Sequence, residues 1–133
     1  MTICTIVDDQ PHCAICYYAF YKLDTEHAYL LFKSSDDTQH IKEALANPKV
    51  AGSVLPNREM SVASNQGIQY KGEFVSEKNT LKPMVKQYEK KFPMSIAVSG
   101  TIWGIALSSI KMTDNNLGFG KKLKWEKRCN SVL

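Results

Sequence analysis

The chain has 133 residues, of which 44% are hydrophobic and 23% charged, and its net charge is +4. A chain of this length buries roughly 68% of its unfolded surface, so we expect one domain over residues 1–133 with a core that needs no disulfide or metal. No apolar run approaches the ~20 residues that cross a bilayer, and the N-terminus lacks the basic and apolar regions of a secretory signal. We therefore expect a cytoplasmic protein without a membrane partner. The small positive charge does not by itself indicate a nucleic-acid partner.

Most of the chain has the pattern of short strands, with apolar or alternating residues between polar turns. We predict about seven strands, at residues 2–7, 12–21, 29–32, 50–55, 67–76, 102–112 and 117–125, and a short strand at 61–64 that leads into a hairpin. Gly72 indicates a β-bulge in its strand, and a turn is predicted at 113–116. Because the connections are short and closure removes free edges, a closed antiparallel barrel is favoured over an open sheet.

A helix is predicted between residue 79 and Pro93. Asn79 or Thr80 is expected to cap its start, and Pro83 is expected in the first turn, where a missing N–H costs little. Its apolar residues recur at helical spacing and are Leu81, Met84, Val85, Tyr88 and Phe92.

A second helix follows the strand at 29–32. It begins near Thr38 and is predicted to end before Pro48, because proline disfavours the helical conformation in the residue before it. A strand that passes through hydroxyl residues into a helix start is a common way to hold a phosphate, since unpaired N–H groups face the anion there. The side-chain donors near that start are Lys33, Ser34, Ser35, Thr38 and His40. An ordinary strand, loop and capped helix would have the same pattern, so both interpretations stay open.

The cysteines include one pair with the CxxC spacing, Cys13 and Cys16. In a strand, residues three apart point to opposite faces, so these two sulfurs should diverge. A zinc site would need a second pair, and only the separate Cys4 and Cys129 remain. We therefore predict free thiols and no metal site.

Two runs in the sequence carry a resemblance to a known family. One is the spacing of Ser34 and His40 to the NPKV run at 47–50, and the other is the run IKMTDNNLGFGKK at 110–122, which ends towards Trp125. In these runs the chain resembles the flavin split-barrel superfamily, with the pyridoxamine 5'-phosphate oxidase-like fold, and within it the uncharacterised YhbP-like subgroup.

The resemblance implies a mainly β fold, a six- to seven-stranded antiparallel Greek-key split barrel with about two helices. It also implies a homodimer with one FMN in each of two clefts at the subunit interface. The family's N-terminal helix is expected to be absent here. The flavin ring would lie along Cys16, Tyr17, Tyr18 and Ala19. The FMN phosphate would be met by Ser34, Thr38, Gln39 and His40, with Lys33 and Ser35 beside them.

Two positions depart from the family pattern. His40 stands where the family has lysine, and Gln39 stands where the oxidase has arginine, so a titratable imidazole and a neutral amide replace two fixed cations. Lys33 or the pair Lys121 and Lys122 is the alternative source of positive charge. The run LGFGKK at 117–122 stands where the oxidase has a motif containing arginine and histidine, which argues against pyridoxamine phosphate as the substrate.

These observations favour an FMN-dependent oxidoreductase of an unknown small molecule. No catalytic side chain is identified, and none is required, because a flavin supplies the redox chemistry itself. The alternative is a non-catalytic dimer that binds FMN or another phosphorylated ligand as a sensor. A third interpretation is a small barrel that binds nucleic acid through the basic residues at 121–128. We favour the first and expect no nucleic-acid partner.

Overall fold

The computed structural model describes residues 1–57, 59 and 61–128. It contains eight strands: β1 (Thr2–Val7), β2 (Gln10–Ile15), β3 (Tyr18–Lys22), β4 (Ala28–Ser34), β5 (Lys49–Val54), β6 (Gln66–Val75), β7 (Thr101–Asp114) and β8 (Lys122–Glu126). The helices are α1 (Gln39–Ala46) and α2 (Lys78–Lys91), with short 3-10 helices at Pro93–Ala97 and Asn115–Leu117. The predicted mainly antiparallel β fold with two helices is confirmed. Neither helix is long and apolar enough to cross a membrane, and the same holds throughout the described residues.

All strands pair antiparallel in one sheet of order β2-β1-β5-β6-β7-β4-β3, and β8 pairs with β7. The two edge strands, β2 and β3, are separated by only Cys16 and Tyr17. Three Cα steps span at most roughly 11 Å, whereas seven flat strands would be roughly 29 Å wide. The sheet therefore curls until its edges meet. The continuous strand predicted at 12–21 is wrong for this reason, because the chain breaks there to change from one edge to the other.

The apolar core has two layers. Inside the curled sheet lie Ile3, Leu30, Phe32, Val50, Tyr70, Phe74, Trp103 and Ile105, with Ile41 and Ala44 of α1 packed against them. On the outer face, α2 packs Leu81, Met84 and Tyr88 against Ala19 and Leu31. The predicted apolar face of α2 is thus confirmed at its three buried positions.

The start of α2 differs from the prediction. The side chain of Glu77 accepts a hydrogen bond from the Asn79 N–H, so Glu77 is the cap and neither Asn79 nor Thr80 is. Because the helix begins earlier, at Lys78, Pro83 lies inside it and not in its first turn.

Three predicted boundaries in the second half also shift. Residues 62–64 form a bend and a turn, so the strand predicted at 61–64 is wrong. β7 continues through the turn predicted at 113–116 as far as Asp114, whose buried carboxylate accepts hydrogen bonds from the Asn116 N–H and from Gln66 Nε2. The last strand begins at Lys122 and not at residue 117, because a 3-10 helix and a turn precede it.

The register of β6 on β7 shifts at Gly72, where a bulge was predicted. Lys71 faces Ser109 and Gly72 faces Leu107, so Ser108 is the extra residue. A Cβ atom built on Gly72 would lie 2.5 Å from the Ala106 carbonyl oxygen and 2.7 Å from Ile105 Cγ2. The close approach of the two backbones at the bulge therefore requires glycine.

We predict that Gly72→Ala lowers the free energy of unfolding by about 1–3 kcal/mol, because overpacking forces the bulge apart. Gly67→Ala in the same strand is the control. Its new methyl would meet the end of the flexible Leu55 side chain at 3.2 Å. Urea denaturation of both variants measures the difference, and equal midpoints would contradict the close approach.

Candidate functional site

The site begins where β4 ends and α1 starts. Ser34 is the last residue of β4, and Thr38 is the N-cap of α1, with extended backbone angles. The Thr38 side chain does not cap the helix; its hydroxyl donates to the Ser35 carbonyl instead, at 2.9 Å. The first N–H groups of α1 therefore have no side-chain partner from the cap, which is the arrangement that receives anions at helix starts.

Three predicted phosphate ligands converge in front of this helix start. His40 Nε2 lies 2.9 Å from Ser34 Oγ and 3.5 Å from Thr38 Oγ1, and the two hydroxyl oxygens are 3.2 Å apart. We call these three residues the hydroxyl–imidazole cluster. Ser34 Oγ and His40 Nε2 bond to each other and the Thr38 hydroxyl donates to the Ser35 carbonyl, so these side chains would reorient to face one shared oxyanion.

Residues of β7 contact the backbone and the loop that carry the cluster. Trp103 Nε1 donates to the Ser34 carbonyl at 3.2 Å, and Thr101 Oγ1 donates to Asp36 Oδ1 at 2.5 Å. Gly100 has φ of +124°, and a Cβ there would lie 3.2 Å from the Ser34 carbonyl carbon. The strand pairing of Ser34 with Thr101 thus fixes the backbone from which the cluster projects.

The other residues predicted at this site point elsewhere. Lys33 Nζ donates to the Ser95 carbonyl at 2.6 Å, on the α2 side of the sheet. Ser35 Oγ donates to Asp37 Oδ1 at 2.6 Å, and Gln39 Nε2 donates to Glu43 Oε1 at 2.8 Å. The pair Lys121 and Lys122 is also distant within one chain: Lys122 pairs with Thr113, at the opposite end of β7 from Thr101.

The electrostatics of the cluster are those of a neutral site. Burial lowers the pKa of His40, the nearby His12 lowers it further, and the Glu43 carboxylate opposes both. Glu43 itself accepts hydrogen bonds from Thr5 Oγ1, Gln39 and His12 Nδ1, and the first of these is the main cause of its lowered pKa. In this structure the cluster thus offers hydrogen-bond donors and a titratable imidazole, and no fixed cation.

The segment predicted to meet a flavin ring lies beside the cluster. Tyr18 pairs with Phe32, and β4 runs only two residues further to Ser34, a distance of roughly 7 Å. Cys16 and Ala19 are buried, and the Tyr17 side chain is 81% exposed. The Cys16 N–H is already used, because it donates to the Met1 carbonyl at 2.9 Å. The two predicted segments are therefore brought together along one side of the barrel.

Two neighbours of this segment were missed by sequence reasoning. Lys91 Nζ lies 4.7 Å from the centre of the Tyr18 ring, and the Phe92 ring lies 6.0 Å from that of Tyr17. Both residues belong to the end of α2, a region the sequence marks only as a helix terminus. The position at which α2 packs on the sheet places the Lys91 ammonium next to Tyr18, and no local sequence pattern predicts that position.

Comparison with solved structures supports the fold. A NimC/NimA family protein from Clostridium acetobutylicum matches 93% of this chain and 82% of its own length, with a TM-score of 0.61 and 16% identity. A pyridoxamine 5'-phosphate oxidase-related, FMN-binding protein from Nostoc punctiforme matches 96% and 86%, with a TM-score of 0.60 and 9% identity. A haem-binding protein from Mycobacterium smegmatis matches 95% of this chain and 52% of its own, with a TM-score of 0.65 and 15% identity. The chain therefore has the split-barrel fold of the pyridoxamine 5'-phosphate oxidase-like proteins, as the resemblance implied.

Sequence comparison identifies the family within that fold. A UPF0306 protein of Photorhabdus laumondii is 37% identical over 128 residues, which is 96% of this chain and 87% of the relative. A UPF0306 protein of Klebsiella pneumoniae is 38% identical over 128 residues, 96% of this chain and 84% of the relative. No family model matches the chain. The chain belongs to the UPF0306 family.

The lowered pKa of His40 predicts a pH dependence of stability. The unfolded chain takes up a proton at this residue near its ordinary pKa of about 6.5, before the folded chain does. Stability from neutral His40 is therefore present above that pH and lost as the pH falls. We expect the melting temperature of the protein to drop between pH 7 and pH 5, and to drop less in His40→Gln. Parallel melting curves for the two proteins would contradict the lowered pKa.

Proposed function

We propose that the protein binds FMN, with the phosphate at the hydroxyl–imidazole cluster and the start of α1. The single observation that carries this proposal is the convergence of Ser34, Thr38 and His40 on an uncapped helix start. Structural neighbours named as FMN-binding and as FAD-binding support a flavin. The haem-binding neighbour shows that the fold also serves another cofactor, so the choice of FMN depends on the phosphate contacts.

The residues present fit a phosphate ester through hydrogen bonds more than through ion pairs. Two hydroxyls, one imidazole nitrogen and the first N–H groups of α1 would surround its oxygens, and the helix dipole would favour the charge. The approach of a dianion would also raise the pKa of His40 and so add a cation on binding. The carboxylates of Asp36 and Asp37 would repel a phosphate. They accept hydrogen bonds from Thr101 and Ser35, respectively.

We propose that two copies of the chain complete the site. The end of β2, Tyr17 and the segment at 94–98 expose large apolar side chains next to the segment at 16–19, in a manner typical of an interface. Those side chains are Ile15, Tyr17, Met94, Ile96 and Val98. In the proposed dimer this surface covers the flavin ring and excludes water. Lys91, beside Tyr18, would supply a positive charge near the ring.

When bound, FMN would supply two-electron redox chemistry, and the chain would supply orientation, water exclusion and charge. The finer proposal is an oxidoreductase of a small molecule, acting in the cytoplasm. The three described cysteines are free, which is usual in a reducing compartment. The absence of a fixed cation in the cluster favours a second candidate, a dimer that binds FMN without turnover.

Removing the phosphate contacts should remove the preference for FMN over riboflavin, which lacks the phosphate. We expect Ser34→Ala with His40→Ala to weaken FMN binding by at least ~100-fold, since hydrogen bonds to a charged group contribute roughly 1.5–3 kcal/mol each. Riboflavin binding should stay unchanged. Quenching of flavin fluorescence measures both affinities.

Ser35→Ala is the matched control, because its hydroxyl bonds Asp37 and not the cluster. Its FMN affinity should remain within about twofold of wild type, and circular dichroism should show both variants folded. If the double variant keeps its preference for FMN, the phosphate lies elsewhere.

Sedimentation and reduction separate the finer proposals. We expect the FMN-loaded protein to sediment as a dimer, since one chain leaves the Tyr17 side chain 81% exposed beside the proposed position of the ring. Bleaching of the flavin spectrum by NADH or NADPH supports the oxidoreductase. A dimer that holds FMN but whose flavin is reduced by neither donor supports the non-catalytic candidate, and a monomer contradicts the interface site.

A further inference from the structure

Cys4 and Cys13 lie directly opposite each other on β1 and β2. The pairing of these strands runs from Thr2 with Ile15 to Val7 with Gln10 and includes Cys4 with Cys13. Their sulfur atoms are 2.7 Å apart, and both thiols are free. The expectation that Cys4 stands alone is therefore wrong. A spacing rule cannot find such a pair, because its two members are joined by the strand register and not by sequence proximity.

The backbone at this pair has the geometry that a disulfide needs. Met1 and Cys16 exchange both backbone hydrogen bonds, at 2.9 Å each. Hydrogen-bonded and non-hydrogen-bonded pairs alternate along an antiparallel ladder, so Cys4 and Cys13, three positions on, form a non-hydrogen-bonded pair. Cα atoms at such pairs are ~4.5 Å apart, which falls within the range of ~4.4–6.8 Å found for disulfides. A bond between the sulfurs therefore needs no strand movement.

The two thiols differ in their access to solvent. Cys13 is exposed and Cys4 is half-buried. Cys4 borders two adjoining clefts on the outer face of the sheet, with volumes of about 630 Å³ and about 610 Å³. Cys16, by contrast, is buried. A small reagent can therefore reach the Cys13 sulfur, and Cys4 is next to it.

We propose that Cys4 and Cys13 form a thiol–disulfide exchange site that takes low-molecular-weight disulfides of the glutathione type. The proposal is independent of flavin binding, since neither residue belongs to the hydroxyl–imidazole cluster. Cytosolic disulfides of this kind are usually transient and redox-sensing, which agrees with a pair of free thiols in which Cys13 is exposed.

The reaction balances in two exchange steps. The Cys13 thiolate attacks one sulfur of the oxidised reagent, forms a mixed disulfide and releases one reduced thiol. The Cys4 thiol then loses its proton to solvent, attacks the Cys13 sulfur and releases the second reduced thiol. The protein is oxidised by two electrons and the reagent is reduced by two. Cys13 attacks first because burial and the neighbouring Cys13 sulfur raise the pKa of Cys4 to about 11, which leaves it mostly protonated.

The test uses the full chain, reduced and then equilibrated with glutathione disulfide and glutathione at several ratios. Free thiols are blocked with N-ethylmaleimide, and the intact mass is measured. We expect wild type to lose two thiols without gaining glutathione. Cleavage before Asp8 and Asp9 should then release residues 1–7 joined to the peptide that begins at Asp9. The peptide that begins at Asp9 contains both Cys13 and Cys16. If the Cys16→Ser variant gives the same linked peptides, the second sulfur of the disulfide is that of Cys13.

The two single variants separate the steps. Cys4→Ser should stop at the first step and retain one glutathione on Cys13, whereas Cys13→Ser should react far more slowly. Both should keep the wild-type circular dichroism spectrum, and Cys4→Ala replaces Cys4→Ser if the latter does not fold. A wild-type protein that retains glutathione, or that links Cys13 to Cys16, to Cys129 or to a second chain, would overturn the proposal.

Discussion

The link of two residues between β2 and β3 determines how the sheet closes. Because Cys16 and Tyr17 join opposite edges of the sheet, the sheet curls, an apolar interior forms, and α1 lies against β1 at one end. The same link places the segment at 16–19 beside the last residues of β4. The candidate site is therefore a consequence of how the barrel closes.

The chemistry of that site depends on the absence of a permanent charge. In the proposed FMN site, the cluster of Ser34, Thr38 and His40 would hold the phosphate through hydrogen bonds, where the family pattern has two fixed cations. Burial lowers the pKa of His40, and in the proposed site a bound anion would raise it again. FMN binding at the proposed site would therefore depend on pH.

Sequence reasoning predicted what depends on local patterns and missed what depends on register. The apolar spacing of α2, the start of α1 at Thr38 and the irregularity at Gly72 all follow from neighbouring residues. The break at Cys16 and Tyr17 was missed because an aromatic, apolar run is as typical of one strand as of two. Lys33 was expected near the phosphate, but alternation along β4 turns it to the α2 side. The Cys4–Cys13 pair and the contact of Lys91 with Tyr18 depend on strand and helix pairing across the fold.

In the proposed site, the phosphate of a flavin nucleotide binds where β4 passes into α1. A crystal structure of the protein grown with FMN tests it most directly. We expect phosphate oxygens within hydrogen-bond distance of Ser34 Oγ and His40 Nε2, with the contact between those two side chains replaced by contacts to the ligand. A phosphate bound at another place, with Ser34 and His40 still bonded to each other, would contradict it.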